Sequence, residues 1–260
     1  MDYTVVIPSY KRAETCRDKT LAVLKEYKIP SSQIVVIVAN TEEEKIYKDT
    51  LDPSTYKEIR VGVPGLVDVR NWIFKNFPKG DRLVSCDDDL RSFIEYTPNT
   101  KRHEQRLRSL KGVIERGFSE CEKAKCDLWG VYPSANGFFM KPTVTTDLKF
   151  IVGSFWGCIN PGKDIMLERS EKDDYERSIR FYLKDGAVVR LNFISPKTAY
   201  YKEPGGMQTR KRLRFQQAAV KALVKKYPEF VKVNPGRKSG FPEIRLADRR
   251  VTRKKHGEKT

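Results

Sequence analysis

The sequence predicts an α/β fold, a doubly wound and mostly parallel sheet with a basic helical extension at its C-terminal end. Short runs of strand length alternate with helix-period segments through the first 90 residues, which is the pattern of βαβ units. The 260 residues, 39% of them hydrophobic, suffice for one large core with an appendage. Residues 205–260 contain 17 basic and 4 acidic residues and so carry +13 of the net charge of +17. We therefore expect an α/β domain over 1–208 and a basic extension over 209–260.

The first 90 residues contain four predicted strands and three predicted helices. Most of these strands are almost wholly apolar, as expected of a parallel sheet covered on both faces. The strands lie at 3–7, 34–38, 58–61 and 82–85. Apolar residues at helical spacing predict helices over about 13–27 and 66–77. Thr41 and Glu44 form a capping-box pattern, which predicts the start of a short helix between the second and third strands.

The second half of the sequence is less regular. Its pattern predicts helices over about 103–123 and 175–183, strands at 128–131, 150–153 and 188–193, and a loop or hairpin at 136–142. The sequence contains neither a G-x-G-x-x-G nor a G-x-x-x-x-G-K loop, so a dinucleotide or P-loop site is not expected.

Composition narrows the class of protein. No stretch reaches the roughly 18–20 apolar residues that a membrane helix needs. The five cysteines are scattered without the paired spacing of a zinc site, which indicates reduced core residues. We therefore expect a cytoplasmic monomer, in the host cytoplasm if a bacteriophage encodes the chain.

Three aspartates follow the fourth predicted strand. Carboxylates at the exit of a buried strand repel one another unless a cation lies between them. Residues two apart in such a turn can point the same way, so Asp87 and Asp89 can converge on one ion. Their oxygens suit Mg²⁺ or Mn²⁺, which usually keeps open positions for substrate phosphates. The alternative for an isolated Asp-Asp-Asp run is a solvated acidic turn.

Polar residues also follow the first two strands. Ligands of doubly wound sheets bind beyond the carboxyl ends of the strands, where residues 8–12, 39–40 and 87–89 should meet. Pro8, Ser9 and Arg12 could there contact a base and phosphates, and Asn40 could hydrogen-bond a pyrimidine base.

Four segments in this order resemble the GT-A fold glycosyltransferases. Residues 7–12, 38–40, 65–71 and 87–89 resemble a strand with I-P-S/T-Y-x-R, a nucleotide-binding loop, a G-x-x-x-x-R-N helix and a D-x-D metal motif. Residues 173–176 resemble the family's second acidic motif, and 205–208 its C-terminal glycine loop. The resemblance implies a GT-A type, Rossmann-like sheet that uses a divalent cation and a UDP-sugar donor.

More narrowly, the pattern over 3–215 is similar to the TET-associated and base-J-type DNA glycosyltransferases. This resemblance implies transfer of a sugar to the hydroxyl of a hydroxymethyl pyrimidine in DNA, such as 5-hydroxymethylcytosine. The GT-A resemblance implies that Gly205 and Gly206 cover the sugar nucleotide. With a metal ion at Asp87 and Asp89, Asp88 would lie nearer the ribose or sugar hydroxyls, and Arg70 faces the crevice if its helix packs on the sheet. The alternative for Arg70 is an exposed helix arginine.

The acceptor hydroxyl is a poor nucleophile and needs a base within hydrogen-bond reach. Asp174 is our first candidate and Asp173 the second, which would favour inversion at the anomeric carbon. Lys172 stands where many GT-A enzymes have a glutamate, so the choice between the two aspartates stays open. The alternative is an ordinary acidic helix N-terminus, where the macrodipole favours carboxylates.

The predicted helix over about 209–227 carries an apolar stripe beside a basic one. Four cations, Arg210, Arg214, Lys221 and Lys225, fall within an arc of about 60°. With Arg237 and Lys238 they would contact phosphates and give salt-dependent, largely sequence-independent affinity for DNA. The alternative is a solubilising tail. Aromatic residues at 136–139 and 155–157 could shape an acceptor pocket, although such residues more often belong to a core.

Two other functions remain open. The enzyme could transfer to a protein or glycan, or the chain could be a non-catalytic nucleic-acid-binding protein on a degenerate GT-A fold.

Overall fold

The computed structural model describes residues 1–168, 171–198, 212–234 and 243–250. Most of the strands form an eight-stranded sheet in the order β3-β2-β1-β4-β9-β7-β10-β8. Its strands are β1 (Thr4–Pro8), β2 (Ile34–Val38), β3 (Glu58–Val61), β4 (Arg82–Cys86), β7 (Leu128–Val131), β8 (Val144–Thr145), β9 (Phe155–Ile159) and β10 (Val189–Leu191). The strands β1 to β4 are parallel, as are β7 and β10, whereas β9 runs antiparallel between β4 and β7.

Helices cover both faces of this sheet. They are α1 (Ala13–Cys16), α2 (Ala22–Glu26), α3 (Thr41–Thr50), α4 (Leu66–Asn76), α5 (Leu110–Ala124), α6 (Asp173–Asp185) and α7 (Arg212–Lys226). A π turn (Arg17–Leu21) joins α1 to α2, and three short 3₁₀ turns lie at Ser31–Gln33, Pro53–Thr55 and Gly137–Phe139.

The side chains of β2 alternate between two hydrophobic clusters, one on each face of the sheet. Val36 packs in the cluster that includes Tyr47 of α3, and Val35 in the cluster that includes Phe74 of α4. Because successive strand residues point to opposite faces, a wholly buried strand can serve two helical layers. The doubly wound, mostly parallel sheet predicted from the sequence is therefore confirmed.

The predicted helix over 103–123 is wrong in its first turns. Residues 92–106 instead form a hairpin of β5 (Ser92–Tyr96) and β6 (Glu104–Arg106), which β11 (Ile194–Lys197) extends to a three-stranded sheet. Helix α5 begins only at Leu110, since Ser109 Oγ accepts a hydrogen bond from the Gly112 amide at 3.0 Å and caps it. The polar residues before Leu110 lack the alternation that is typical of a strand, so their sequence pattern resembles that of a solvent-exposed helix.

Three further boundaries differ from the sequence prediction. Residues 150–153 are not a strand, because the pairing with β4 and β7 begins at Phe155. The strand predicted at 188–193 divides into β10 and β11 at the turn over 192–193. Helix α3 is capped by Asn40 rather than Thr41, since Asn40 Oδ1 accepts from the Glu43 amide at 2.9 Å.

The described part of the C-terminal extension packs on the α/β domain. Helix α7 is followed by a ribbon of β12 (Val231–Asn234) and β13 (Glu243–Leu246). Leu223 and Phe230 belong to the same hydrophobic cluster as Phe181 of α6. The phenol of Tyr182 donates to Asp248 at 3.0 Å, which fixes the end of this ribbon against α6. Over the described residues no helix is long and apolar enough to cross a membrane.

Candidate active site

A cavity of about 440 Å³ lies at the carboxyl ends of β1, β2 and β4, where the strand order predicts a ligand site. The turn after β1, the segment before α4, residues 152–154 and the N-terminus of α6 complete its walls. Nine of the residues predicted from the sequence line it, namely Pro8, Ser9, Arg12, Arg70, Asp87, Asp88, Asp89, Asp173 and Asp174.

Among the described residues, one predicted donor-site residue, Asn40, does not line the cavity. Asn40 is exposed and its side-chain oxygen caps α3, while its neighbour Ala39 lines the wall. A contact between the Asn40 amide nitrogen and a pyrimidine base stays a prediction. Gly205 and Gly206 lie outside the described residues.

The turn that contains the three aspartates follows β4 and is held by contacts on two sides. The Asp87 amide donates to the carbonyl of Ser154 at 3.0 Å, and buried Thr20 of the π turn packs beneath the turn. Asp87 keeps 37% of its side chain exposed toward the cavity, and Asp89 keeps 16%. The turn therefore presents two carboxylates, two residues apart, on one wall.

The electrostatics of this turn fit a cation. Desolvation of its partly covered carboxyl raises the pKa of Asp87 to about 7, with Asp89, Asp88 and Asp173 raising it further and Arg70 opposing them. No group of three His, Cys, Asp or Glu side chains in the described ranges has the arrangement of a metal site. Two carboxylates suit a hard ion that completes its shell with phosphate oxygens and water. Asp87 and Asp89 would hold such an ion.

Asp88 is bound within the protein. Its Oδ2 accepts from Ser9 Oγ at 2.6 Å and its Oδ1 from Arg12 Nη1 at 3.2 Å. Ser9 Oγ lies 2.6 Å from the phenol of Tyr47, which donates to it because the Ser9 hydrogen is directed to Asp88. Asp88 and Ser9 thus brace the ends of β4 and β1 against α3 as well as lining the cavity.

A buried pair of arginines holds Asp173. Arg70 Nε lies 2.9 Å from Asp173 Oδ2, and Arg177 Nη1 lies 4.0 Å from the same oxygen. Arg177 also donates to the carbonyl of Ile151 at 3.0 Å and stacks its guanidinium 3.9 Å from the ring centroid of Trp156. Burial and the neighbouring Arg70 lower the pKa of Arg177 to about 10, so it stays charged at neutral pH. Asp173 is therefore a counter-ion between two cations.

Asp174 has the properties expected of a base. It is half-buried at the start of α6, and its Oδ1 accepts from the amide of Tyr175 at 3.0 Å. Burial, followed by the charge of Asp173, raises the pKa of Asp174 to about 6, against the opposing effect of Arg177, Lys172 and Arg70. A carboxylate of this kind is ionised at neutral pH and more basic than an ordinary aspartate.

Arg70 supplies positive charge at the centre of the cavity wall. It is 3% exposed, and its Nη2 lies 3.8 Å from Asp87 Oδ1. Within the described residues its Nη1 has no hydrogen-bond partner. Arg70 lines the cavity, so its charge would favour an anionic ligand there.

Two glycines lie in the wall: Gly65 opens the predicted G-x-x-x-x-R-N segment, whereas Gly153 carries no signal that the sequence offered. Gly153 lies between Arg70 and Asp174, since a Cβ built on it would approach Arg70 Nη2 to 3.3 Å and Asp174 Cβ to 3.8 Å. Gly65 has φ +100°, a left-handed conformation in which the chain enters α4. Tyr10, within the segment 8–12 expected at this edge, lines the cavity as well, and so does Thr198, which the sequence did not indicate.

The predicted basic face is exposed where it is described. Arg214, Lys221 and Lys225 all point away from the core, while Val220, Leu223 and Tyr227 of the same helix are buried. Arg210, Arg237 and Lys238 lie outside the described residues. Of the predicted aromatic residues, Phe155 and Trp156 are core residues, whereas Phe138 and Phe139 are exposed and do not line the cavity.

A scan against protein-family models and a search of curated proteins each found no match. Among solved structures the chain is similar to S. aureus TarS 1-349, at 14% identity and TM-score 0.46, over 74% of this chain and 58% of that one. It is similar to S. aureus TarS 1-349 in complex with UDP at 12% identity and TM-score 0.47, over 86% and 66%. A mycobacterial protein is similar at 10% identity and TM-score 0.45, over 95% and 83%.

The chain spans 40–66% of the length of the TarS structures that it matches. With identities of 10–14% and TM-scores of 0.45–0.48, the activity has to be argued from the cavity itself.

Proposed function

We propose that the chain is a metal-dependent glycosyltransferase of GT-A type that uses a UDP-sugar donor. The observation that carries the proposal is the meeting of Asp87, Asp89, Arg70 and Asp174 around one cavity at the carboxyl edge of the sheet. Carboxylates for a divalent cation, a buried cation for phosphates and a basic carboxylate are the groups that sugar transfer from a nucleotide needs.

Each residue has a distinct part in the proposed reaction. Asp174 accepts the proton of the acceptor hydroxyl as the hydroxyl oxygen bonds to the anomeric carbon and the bond to the diphosphate breaks. Arg70 supplies positive charge from the cavity wall to the phosphates of the donor. A bound Mn²⁺ or Mg²⁺ supplies Lewis-acid stabilisation of the departing diphosphate. A hydroxyl that attacks directly in this way gives inversion at the anomeric carbon.

The acceptor that we propose is the hydroxyl of 5-hydroxymethylcytosine, or another hydroxymethyl pyrimidine, in DNA. The net charge of +17 and the exposed cations of α7 support a polyanionic acceptor. The division at residue 208, the monomeric state and the cytoplasmic location stay predictions. A protein or glycan acceptor is the second candidate, because the cavity chemistry is the same for any hydroxyl.

The test is to incubate the full chain with hydroxymethylcytosine DNA, a panel of UDP-sugars and Mn²⁺ or Mg²⁺, and to weigh the nucleosides. We expect one sugar to add to the modified base, and Asp89→Ala to abolish the transfer while keeping its circular dichroism spectrum. Transfer by Asp89→Ala at the wild-type rate would refute the metal assignment.

Measuring cleavage of the UDP-sugar distinguishes the proposed activity from the proposed acceptor. If UDP is released in a Mn²⁺-dependent reaction but no DNA product forms, the proposed glycosyltransferase activity stands and the proposed DNA acceptor is rejected. The absence of both, under conditions where the protein binds DNA, would favour a non-catalytic nucleic-acid-binding protein.

A further inference from the structure

Two adjacent phenylalanines stand on the surface outside the cavity. Phe138 is 62% exposed and Phe139 is 61% exposed, more than any other aromatic side chain among the described residues. They belong to the 3₁₀ turn at Gly137–Phe139, which follows β7. Burying two such rings would contribute several kcal/mol to folding, so their exposure indicates an interaction surface.

The turn that carries these rings is rigid. Asn136 Oδ1 accepts from the Phe138 amide at 3.1 Å, and the Phe139 amide donates to the Asn136 carbonyl at 3.1 Å. Gly137 packs against the β5–β6 hairpin, where an added Cβ would lie only 2.2 Å from the carbonyl oxygen of Arg102. The rings are therefore displayed in one position by a fixed backbone.

Two further rings continue the surface. His103 has φ +54°, an unfavourable conformation for a residue with a side chain, and its ring lies between those of Tyr96 and Phe138. The centroid of the His103 ring lies 6.1 Å from that of Tyr96, with the two rings nearly parallel. It lies 5.5 Å from that of Phe138, with the two rings edge to face. We call Tyr96, His103, Phe138 and Phe139 the aromatic platform.

Cations surround the aromatic platform. Lys101, Arg102 and Lys141 are exposed beside it in the chain. The acid in their midst, Glu104, is only 10% exposed, accepts from the Gly137 amide at 3.1 Å and lies 3.6 Å from Arg102, so it offsets part of that charge and leaves Lys101 and Lys141 as the main cations. Lys197, which lies 3.5 Å from Glu104, precedes Thr198 of the cavity wall, so the cationic rim continues toward the cavity.

We infer that the aromatic platform binds single-stranded nucleic acid, with bases stacked on Phe138 and Phe139 and phosphates at the surrounding lysines and arginine. Stacked rings in a cationic rim are the chemistry by which proteins hold unpaired bases without reading their sequence. Two rings cannot supply the roughly 800 Å² per partner of a stable protein interface. In duplex DNA the base faces are not accessible to such rings.

The experiment measures fluorescence anisotropy of a labelled oligothymidylate of about 15 nucleotides with the full chain and without donor or metal. We expect Phe138→Ala/Phe139→Ala and Phe138→Leu/Phe139→Leu each to weaken binding about tenfold or more, because both remove the stacking face. Phe138→Tyr/Phe139→Tyr should bind within about twofold of wild type, since it keeps the rings. The matched control, Ile46→Ala/Leu183→Ala, removes two exposed apolar side chains elsewhere and should leave the affinity unchanged.

Several results would overturn the inference. An affinity unchanged in the alanine variant, or kept in the leucine variant, would exclude stacking. Equal binding of a duplex of the same length, equally weakened by the alanine variant, would mean that the rings do not contact unpaired bases. All variants change exposed side chains, and their melting temperatures check that the fold is kept.

A photochemical experiment locates the contact. An oligonucleotide with 5-iodouracil should crosslink to the peptide that contains Phe138 and Phe139, and crosslinks only to other peptides would contradict the assignment. This inference extends the proposal of a DNA acceptor, and the functional role of the aromatic platform rests on that proposal. Its binding is nevertheless measured without turnover, so its failure and the failure of sugar transfer are distinguishable.

Discussion

The side-chain hydroxyl of Thr20 donates a hydrogen bond to the carbonyl oxygen of Asp87 at 2.7 Å. The same hydroxyl oxygen accepts from the amide of Leu90 at 3.0 Å, so one buried side chain spans the whole aspartate turn. Thr20 belongs to the π turn between α1 and α2, and π turns interrupt α-helices frequently at functional sites. The helix irregularity thereby sets the backbone from which Asp87 and Asp89 project.

Replacing Thr20 should disturb this turn selectively. Thr20→Val keeps the shape but leaves a buried carbonyl and a buried amide unpaired, which costs about 1–3 kcal/mol. We expect a lower melting temperature and weaker Mn²⁺ binding, measured by calorimetric titration without donor. Thr20→Ser keeps the hydroxyl and should restore Mn²⁺ affinity. Wild-type Mn²⁺ affinity in Thr20→Val would show that Thr20 has only a general packing role.

Asp87 should destabilise the metal-free fold. Its pKa is raised to about 7 from an ordinary value near 4, so the folded protein disfavours the carboxylate and loses stability as pH rises from about 4 toward 7. Because 37% of the Asp87 side chain is exposed, solvent screens part of this penalty, so Asp87→Asn should melt only slightly above the wild type at pH 8 without metal, and the difference should narrow toward pH 4. Added Mn²⁺ should stabilise the wild type and leave the variant unchanged. A lower melting temperature for Asp87→Asn at pH 8 would contradict this account.

Asp173 and Asp174 should respond differently to the same substitution. Asp173→Ala leaves two buried arginines without their counter-ion, and breaking such a group costs about 3–5 kcal/mol. Asp174→Ala removes a half-buried side chain and should keep the melting temperature within a few degrees while lowering kcat by about 10² or more. Denaturant unfolding and single-turnover transfer rates distinguish the two. The reverse pattern would make Asp173 the base.

The pH dependence of transfer should report Asp174. Because the pKa of its carboxyl is raised to about 6, the group is protonated below that pH and cannot accept a proton. We expect kcat/KM to fall about tenfold per pH unit below 6. Protons also compete with metal at Asp87, so the profile is recorded at two Mn²⁺ concentrations. A limb near pH 6 that moves with the Mn²⁺ concentration would belong to metal binding instead.

The basic face of α7 should supply part of the affinity for DNA. Lys221→Glu/Lys225→Glu should lower the affinity for duplex DNA and reduce the slope of log K against log salt by about one for each phosphate that is no longer neutralised. A matched charge change, Lys45→Glu/Lys75→Glu, should have a smaller effect, and release of UDP from free donor should stay unchanged in both variants. Equal salt slopes for the two variants would reject a specific role for α7.

Charge reversal is preferable to deletion of residues 236–260 in this test. That deletion removes β13, which pairs with β12, and the Asp248 carboxylate that holds Tyr182. A loss of binding in the truncated protein would therefore mix charge with unfolding of the extension.

The meeting of Ser9, Arg12, Asp87 and Asp89 could be predicted from the sequence because it follows from connectivity, whereas the place of Asp174 was indicated by the family resemblance. Parallel strands joined by helices bring their carboxyl ends to one edge, whatever the side chains between them. The pattern of apolar runs indicated the strands, and the residues after them indicated the edge.

The internal bonds of the site could not be predicted in this way. The link from Tyr47 through Ser9 to Asp88 joins three elements whose relative rotation no periodicity records. Asn40 was predicted to meet a ligand, and its cap on α3 depends on where that helix begins, which patterns give only within a few residues. The hairpin of β5 and β6 was missed because its polar outer positions follow no regular alternation.

Helix α6 has Asp174 in its first turn and Tyr182, tied to Asp248 of the extension, near its other end. At 1.5 Å per residue the eight steps from Asp174 to Tyr182 measure about 12 Å. If the DNA acceptor proposed above lies along α6, about three to four nucleotides at roughly 3.4 Å each separate the reacting hydroxyl from the extension. On that proposal, acceptors shorter than this span should lose any contact with the extension.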